Sequence, residues 1–312
     1  MNVVWIILLI VCAAALIFWL APGVTAAMMV FFRRHRLEIA QSKYYFKPYR
    51  EEMARCWEFL QRQPHRRVAV RAYDGVPLSA LWFDRGGGKT AVLLHGYNAS
   101  AMTNFSVSGA ALWERGYNLL LVDQRAHGES GGRFSGFGLA ERNDLLSWLD
   151  WLSRETATKR TVVWGVSMGC AAASYVSDRI GDRVQALVLD CGYTSPREQF
   201  ASVGRRRHVP WRLTLPVIRA TVRLLKGVDI NESTTAALSR TTIPAAFLYG
   251  EADDTVSAET FGAIYDACAS EKIIITVPGA AHTMAYICAS AAQKEQLLAF
   301  LEKQIRTEEK TI

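Results

Sequence analysis

The stretch Gly165-Val166-Ser167-Met168-Gly169 sets a serine between two glycines. An apolar run at 160–164 precedes it, and the small-residue run Cys170-Ala171-Ala172-Ala173-Ser174-Tyr175 follows. A strand that turns sharply into a helix at such a serine pushes the hydroxyl out at the end of a sheet. The flanking glycines are needed where a Cβ would strike the neighbouring strand and helix. The helix N-terminus behind the serine offers N–H groups and a positive dipole end to an oxyanion. The chemistry implied is nucleophilic attack on a carbonyl carbon. Gly128-Glu129-Ser130-Gly131-Gly132 satisfies the same spacing. It lies in a polar segment with no apolar helix after it, so Ser130 reads as a loop residue.

A nucleophilic serine needs a base to take its proton and an acid to orient that base. His282 lies in the loop Val277-Pro278-Gly279-Ala280-Ala281-His282, just beyond the last apolar run, and reads as the base. His208, the other histidine downstream of Ser167, sits in a basic insert, and His35 and His65 lie among arginines. The acid falls in Gly250-Glu251-Ala252-Asp253-Asp254-Thr255-Val256, where the spacing directs Asp253 inward in preference to Asp254. Asp190, at the end of the sixth predicted strand, is a further topological option, more readily a structural carboxylate. Two backbone donors must bind the oxyanion. The N–H of Met168 is one, and the N–H of Tyr97 in His95-Gly96-Tyr97-Asn98 is the other. Gly96 lets that backbone approach the substrate oxygen, and His95 reads as a structural histidine bonding loop carbonyls.

These residues are useful only if a sheet brings them to one edge. Strands are predicted at 68–73, 78–83, 90–94, 118–122, 161–164, 186–189, 245–248 and 273–277. Helices are predicted at 101–115, 139–154, 168–180, 257–269 and 290–306, with a short leading helix at 48–63. Asp74-Gly75 reads as a hairpin turn, so the sheet starts antiparallel. The uninterrupted Ala91-Val92-Leu93-Leu94 and Leu119-Leu120-Leu121-Val122 suit parallel strands covered on both faces. The alternation lapses between Cys191 and Thr242, which reads as a helical cap over the strand ends, about 192–242. Within it Arg212, Arg219, Arg223 and Lys226 fall on one helical stripe, with Leu213, Val217, Ile218, Val222, Leu224 and Leu225 on other faces. A solvated cap face and a cap resting on a membrane both fit that pattern.

The chain has 312 residues, 50% hydrophobic and 21% charged, which suits one large domain plus a membrane segment. Residues 3–32 carry no formal charge. The stretch 3–20 is apolar enough to span a bilayer, with Ala21-Pro22-Gly23 interrupting it before 24–32. A cleaved signal peptide competes with this reading. However, no Lys or Arg precedes the run, and it is long for a signal's apolar region, so a retained anchor is expected. Arg33-Arg34-His35-Arg36 follows, which favours the cytoplasmic side for the catalytic domain and leaves the opposite side open. The division expected is an anchor at 1–32, a basic juxtamembrane segment and leading helix at 33–66, and the main domain at 67–312.

Cys12, Cys56, Cys170, Cys191, Cys268 and Cys288 show neither CxxC pairing nor metal-ligand spacing and read as buried free thiols. The net charge of +7 concentrates in 33–67 and 197–226, leaving the rest acidic. No nucleic-acid motif is present. On an anchored chain, basic stretches of this kind point to anionic headgroups.

The turn His95-Gly96-Tyr97, the segment Asp123-Gln124-Arg125-Ala126-His127-Gly128-Glu129-Ser130, the elbow at 165–169, the acid loop at 250–256 and His282 together resemble the α/β-hydrolase superfamily, over about 68–306. Within it the chain is similar to bacterial hydrolases related to eukaryotic membrane-bound α/β-hydrolase-domain proteins. Some similarity to the catalytic domain of prolyl-oligopeptidase-type serine peptidases is also visible. The resemblance implies an α/β fold with an eight-stranded, mostly parallel sheet and helices on both faces. It also implies hydrolysis through an acyl-enzyme without cofactor or metal. Gln124 departs from the small or aromatic residue usual in that segment. The favoured activity is cleavage of a small-molecule or lipid-like ester or thioester. The rivals are a serine peptidase and a non-catalytic membrane scaffold on the same fold.

Overall fold

The structure is a computed structural model, and it describes residues 2–32, 44–208 and 210–307. Eight strands form one sheet: β1 (His65–Arg71), β2 (Pro77–Phe83), β3 (Lys89–Leu94), β4 (Asn118–Asp123), β5 (Arg160–Val166), β6 (Ala186–Asp190), β7 (Ala245–Gly250) and β8 (Lys272–Val277). Their order is β1-β2-β4-β3-β5-β6-β7-β8. The sheet is mixed. β1–β2 and β2–β4 pair antiparallel, and every pair from β4 to β8 is parallel. The antiparallel start follows from the hairpin at Asp74-Gly75, where Gly75 adopts a φ of 81°.

The helices are α1 (Val3–Phe31), α2 (Arg50–Gln61), α3 (Ala101–Glu114), α4 (Glu141–Glu155), α5 (Met168–Ser174), α6 (Pro196–Arg206), α7 (Trp211–Lys226), α8 (Thr235–Leu238), α9 (Ala258–Ala267), α10 (Ala285–Cys288) and α11 (Ala291–Thr307). Two apolar cores result, one on each face of the sheet. Along β3, Val92 and Leu94 enter the core under α4, α5 and α9, whereas Ala91 and Leu93 enter the one under α2, α3 and α11. Period-two alternation between two buried faces explains why Ala91–Leu94 of β3 is apolar throughout. Helix α5 is shorter than the expected 168–180. Beyond Ser174 the chain tightens into i to i−3 turns, such as Val176 N to Ala173 O and Arg179 N to Val176 O.

The cap comprises α6, α7 and α8, inserted after β6 as expected. Its charge pattern differs from the expected single basic stripe. Arg219 donates twice to Asp229, at 2.9 and 2.7 Å, and Arg223 lies 3.7 Å from the same carboxylate. The outward face of α7 also carries exposed Leu213, Leu224 and Leu225. The apolar set therefore divides, with Leu215, Val217, Ile218 and Val222 buried.

Helix α1 continues through Ala21-Pro22-Gly23, where the sequence suggests a break. A Cβ on Gly23 would sit 2.5 Å from Val217 Cβ, so the glycine permits α7 to lie directly against α1. Past that crossing, Ala27 and Phe31 are fully buried in the domain core. The end of α1 is thus packed into the domain that the sequence reading starts at residue 67. The side chains at 4, 13–16 and 18 lie outside the described residues. The described residues by themselves contain no helix long and apolar enough to cross a membrane, so the structure does not support the expected single-pass anchor. Arg33-Arg34-His35-Arg36 also lies outside the described residues.

Candidate active site

Strand order sets the site. The chain leaves β3 towards β4 on one side, while β5 lies on the other, so a crevice opens at the carboxyl ends of β3 and β5. Ser167 stands at the end of β5 with φ 53° and ψ −108°, outside the regions that L-residues ordinarily occupy. Two neighbours hold it there. Ser167 N donates to Asp190 O at 2.8 Å, and Ala171 N donates to Ser167 O at 3.0 Å. The glycines on either side are sterically required. A Cβ on Gly165 would sit 2.3 Å from Gly169 O, and one on Gly169 would sit 1.9 Å from Leu94 O.

Ser167, His282 and Asp253 meet at this edge. Ser167 Oγ lies 3.0 Å from His282 Nε2, and His282 Nδ1 lies 2.7 Å from Asp253 Oδ2. With Nδ1–H donating to the carboxylate, Nε2 is the acceptor that faces the serine hydroxyl. The other oxygen, Asp253 Oδ1, accepts from Thr255 N at 2.7 Å and Val256 N at 2.8 Å. The acid loop and the histidine loop are joined by Ala252 N to Ala280 O at 3.0 Å and Glu251 N to Val277 O at 3.1 Å. All three side chains are nearly buried, and that of Asp253 is fully so.

The two rival carboxylates do not reach the imidazole. Asp254 is exposed and accepts from Thr255 Oγ1 at 3.0 Å. Asp190 is buried beneath the elbow, its Oδ1 without a hydrogen-bond partner among the described residues. Burial pushes its carboxyl up to about 7. Of the remaining histidines, His208 and His65 are exposed, and His35 lies outside the described residues. Ser130 is buried in a loop, where its Oγ donates to Asp123 O at 2.5 Å and accepts from Ser79 N at 2.8 Å.

Opposite the serine, the turn after β3 is fixed on both sides of Tyr97. Gly96 N donates to Asn104 Oδ1 at 2.9 Å, and Asn98 N donates to His127 Nε2 at 3.1 Å. A Cβ on Gly96 would come within 3.4 Å of Ser167 Cβ. His95 is buried, with Nδ1 at 2.8 Å from Gly96 O and Nε2 accepting from Gln124 N at 3.0 Å. The Gln124 amide reaches back to His95 O at 3.4 Å, which gives this departure from the usual pattern a structural role. The loop behind it is pinned by Arg125, buried and forked onto Asp144 at 2.5 and 2.6 Å.

A cavity of about 640 Å³ opens over Ser167 and His282. The sequence reading missed most of its wall. Val30 from α1, Phe46, Phe137, Tyr193, Phe200 and Val203 line it, and Arg206 and Arg207 stand at its rim. Neither arginine has an ion-pair partner among the described residues. Tyr97 stacks on Phe137 at 4.5 Å, and Phe137 packs against Phe200 at 4.8 Å. No periodicity marks such residues, because a pocket wall is assembled from separate elements. Among the described residues, Cys191, Asp253 and His282 bring possible metal-ligand atoms within 4.8 Å of one another. Asp253 and His282 already bond each other there, and burial holds the Cys191 thiol well above its usual range, hence protonated.

A sequence profile described as the alpha/beta hydrolase fold matches residues 90–242. Protein YqkD of Bacillus subtilis (strain 168), itself uncharacterised, is 25% identical over 201 residues, covering 63% of this chain and 66% of that protein. Lysophosphatidylserine lipase ABHD12 of Danio rerio is 26% identical over 168 residues, covering 50% of this chain and 41% of that protein. The matched region thus spans less than two thirds of either relative's length. Among solved structures, an esterase of Pyrococcus furiosus superposes with a TM-score of 0.63 at 20% identity, covering 89% of this chain and 98% of that one. At that identity the likeness carries the fold alone.

Proposed function

The chain belongs to the α/β-hydrolase superfamily, and from that premise we propose that it is a serine hydrolase acting on carboxyl esters or thioesters. The observation that carries this reading is the line Ser167 Oγ–His282–Asp253, at 3.0 and 2.7 Å, at the floor of a pocket. His282 Nε2 takes the hydroxyl proton as Ser167 Oγ attacks the carbonyl carbon. Asp253 stabilises the imidazolium, and the N–H groups of Met168 and Tyr97 bind the oxyanion. His282 then protonates the leaving alcohol or thiol. Water, activated by the same imidazole, releases the acyl group.

The pocket supports a substrate with an apolar arm and an anionic group beside the cleaved bond. Val30, Phe46, Phe137 and Phe200 suit an acyl chain, and Arg206 and Arg207, without an ion-pair partner among the described residues, suit a phosphate or carboxylate at the rim. A lysophospholipid has this chemistry, and one relative is named for hydrolysing such a lipid. Residence at a bilayer is supported by two features. α1 carries no charge and exposes Trp5, Leu8, Leu9 and Ile10, and α7 turns Leu213, Leu224 and Leu225 outward beside basic residues.

Purified protein assayed against p-nitrophenyl esters of graded length, aminoacyl-p-nitroanilides and lysophospholipids tests the reading. Hydrolysis of esters, with anionic lysophospholipids preferred over zwitterionic ones, is expected. Turnover of anilides alone would make the chain a peptidase, and turnover of nothing would favour a scaffold.

A further inference from the structure

Helix α1 ends at Phe31, so its last carbonyls have no further helical turn to donate to them. Two of them are met by the rim of the active site. The Tyr97 hydroxyl donates to Val30 O at 2.8 Å, and Ser135 N donates to Phe31 O at 2.8 Å. Tyr97 carries one of the N–H groups assigned to the oxyanion. Ser135 leads to the other, for its Oγ lies 3.2 Å from Met168 Sδ. Packing runs along the same path. Phe31, fully buried, lies 5.2 Å from Phe137, on which the Tyr97 ring stacks.

One helix end is therefore bonded to Tyr97 and to Ser135, whose side chain meets that of Met168. We propose that the last turn of α1 is a positioning element of the oxyanion site, with the Val30 carbonyl fixing Tyr97 and the Phe31 carbonyl fixing the segment against Met168. The inference rests on the serine-hydrolase reading and assigns α1 a role beyond any membrane attachment. A misdirected N–H weakens transition-state binding without changing how substrate first binds, so the defect falls on kcat.

The test uses the full chain. Tyr97→Phe deletes the hydroxyl and keeps the ring and the N–H. Its kcat on a p-nitrophenyl ester falls about tenfold, with KM within twofold. Affinity for a trifluoromethyl ketone, which forms a tetrahedral adduct on Ser167, falls by the same factor. A hydroxyl that merely supports packing would change thermal stability and leave both values as in the wild type, overturning the proposal. A second route does not depend on Tyr97. Gly23→Ala drives a methyl into Val217 and displaces α1 from α7. The same kcat loss is expected, with recovery in the Gly23→Ala/Val217→Gly double variant. Wild-type kcat in Gly23→Ala, or no recovery in the double variant, overturns the proposal even if Tyr97→Phe does not fold. A wild-type chain inactive on every ester would sink the serine-hydrolase reading and this inference together.

Discussion

His282 Nε2 stands 3.0 Å from Ser167 Oγ across a sequence separation of 115 residues. The separation is within the range for proton transfer between the two groups. The sheet maintains it. Ser167 ends a central strand, His282 follows the edge strand β8, and the intervening strands β6 and β7 fix the gap.

Asp253 orients the imidazole through Nδ1, and its second oxygen is held by two backbone N–H groups. Asp253→Asn presents an amide to a ring nitrogen that must donate, favouring the wrong tautomer. We expect kcat to fall by about three to four orders of magnitude, with little change in KM. Asp254→Asn, on an exposed carboxylate that does not reach the ring, stays within about tenfold. Steady-state kinetics on one ester compares the two.

The elbow leaves no room at Gly169. A Cβ 1.9 Å from Leu94 O meets backbone on a central strand, which cannot move aside. Gly169→Ala is expected to cost at least about 3 kcal/mol or to abolish soluble expression. Urea unfolding measures the first outcome.

Ser130 tests the second Gly-x-Ser-x-Gly stretch. Its hydroxyl bridges Asp123 O and Ser79 N inside the fold. Ser130→Ala leaves those buried groups short of a partner and costs about 1–3 kcal/mol, yet ester hydrolysis persists. An inactive but fully folded Ser130→Ala would contradict this assignment.

Asp190 gives the stability a pH dependence of defined sign. Its carboxyl titrates at 3.8 in the free chain and is raised by burial to about 7 when folded. The folded state therefore holds the proton more tightly. The contribution is complete below pH 4 and is lost as pH rises through 7. Asp190→Asn does not titrate, so its stability relative to wild type should climb by roughly 4 kcal/mol between pH 4 and pH 8. Denaturant unfolding at four or five pH values reads this. A constant difference would mean that Asp190 is ionised throughout.

Ser167, Asp253 and His282 were legible in the sequence because each follows an apolar strand, and strand ends of a parallel sheet share one edge. His95 reads as structural from its place in the turn after β3, and its ring meets Gly96 O and Gln124 N. The wall of the pocket was not. Val30 and Phe31 sit in a uniformly apolar run, where nothing separates a side chain facing the protein from one facing outward. Helix α1 continues past Pro22, and the adjacent Gly23 lets it lie against α7, a contact that no local sequence signal reveals. The basic stripe on α7 misled because Asp229, which neutralises Arg219, lies beyond the helix and outside any helical periodicity. Arg206 and Arg207 fall in the basic stretch 197–226, whose spacing does not mark them as lining the cavity.

The central claim is that Ser167 is made nucleophilic by His282. Intact-mass measurement after treatment with a fluorophosphonate, followed by peptide mapping, tests it most directly. One equivalent of adduct on Ser167 is expected, absent in Ser167→Ala and slowed at least about a hundredfold in His282→Ala. Adduct on another residue, or labelling of Ser167 at the same rate with and without His282, would contradict it.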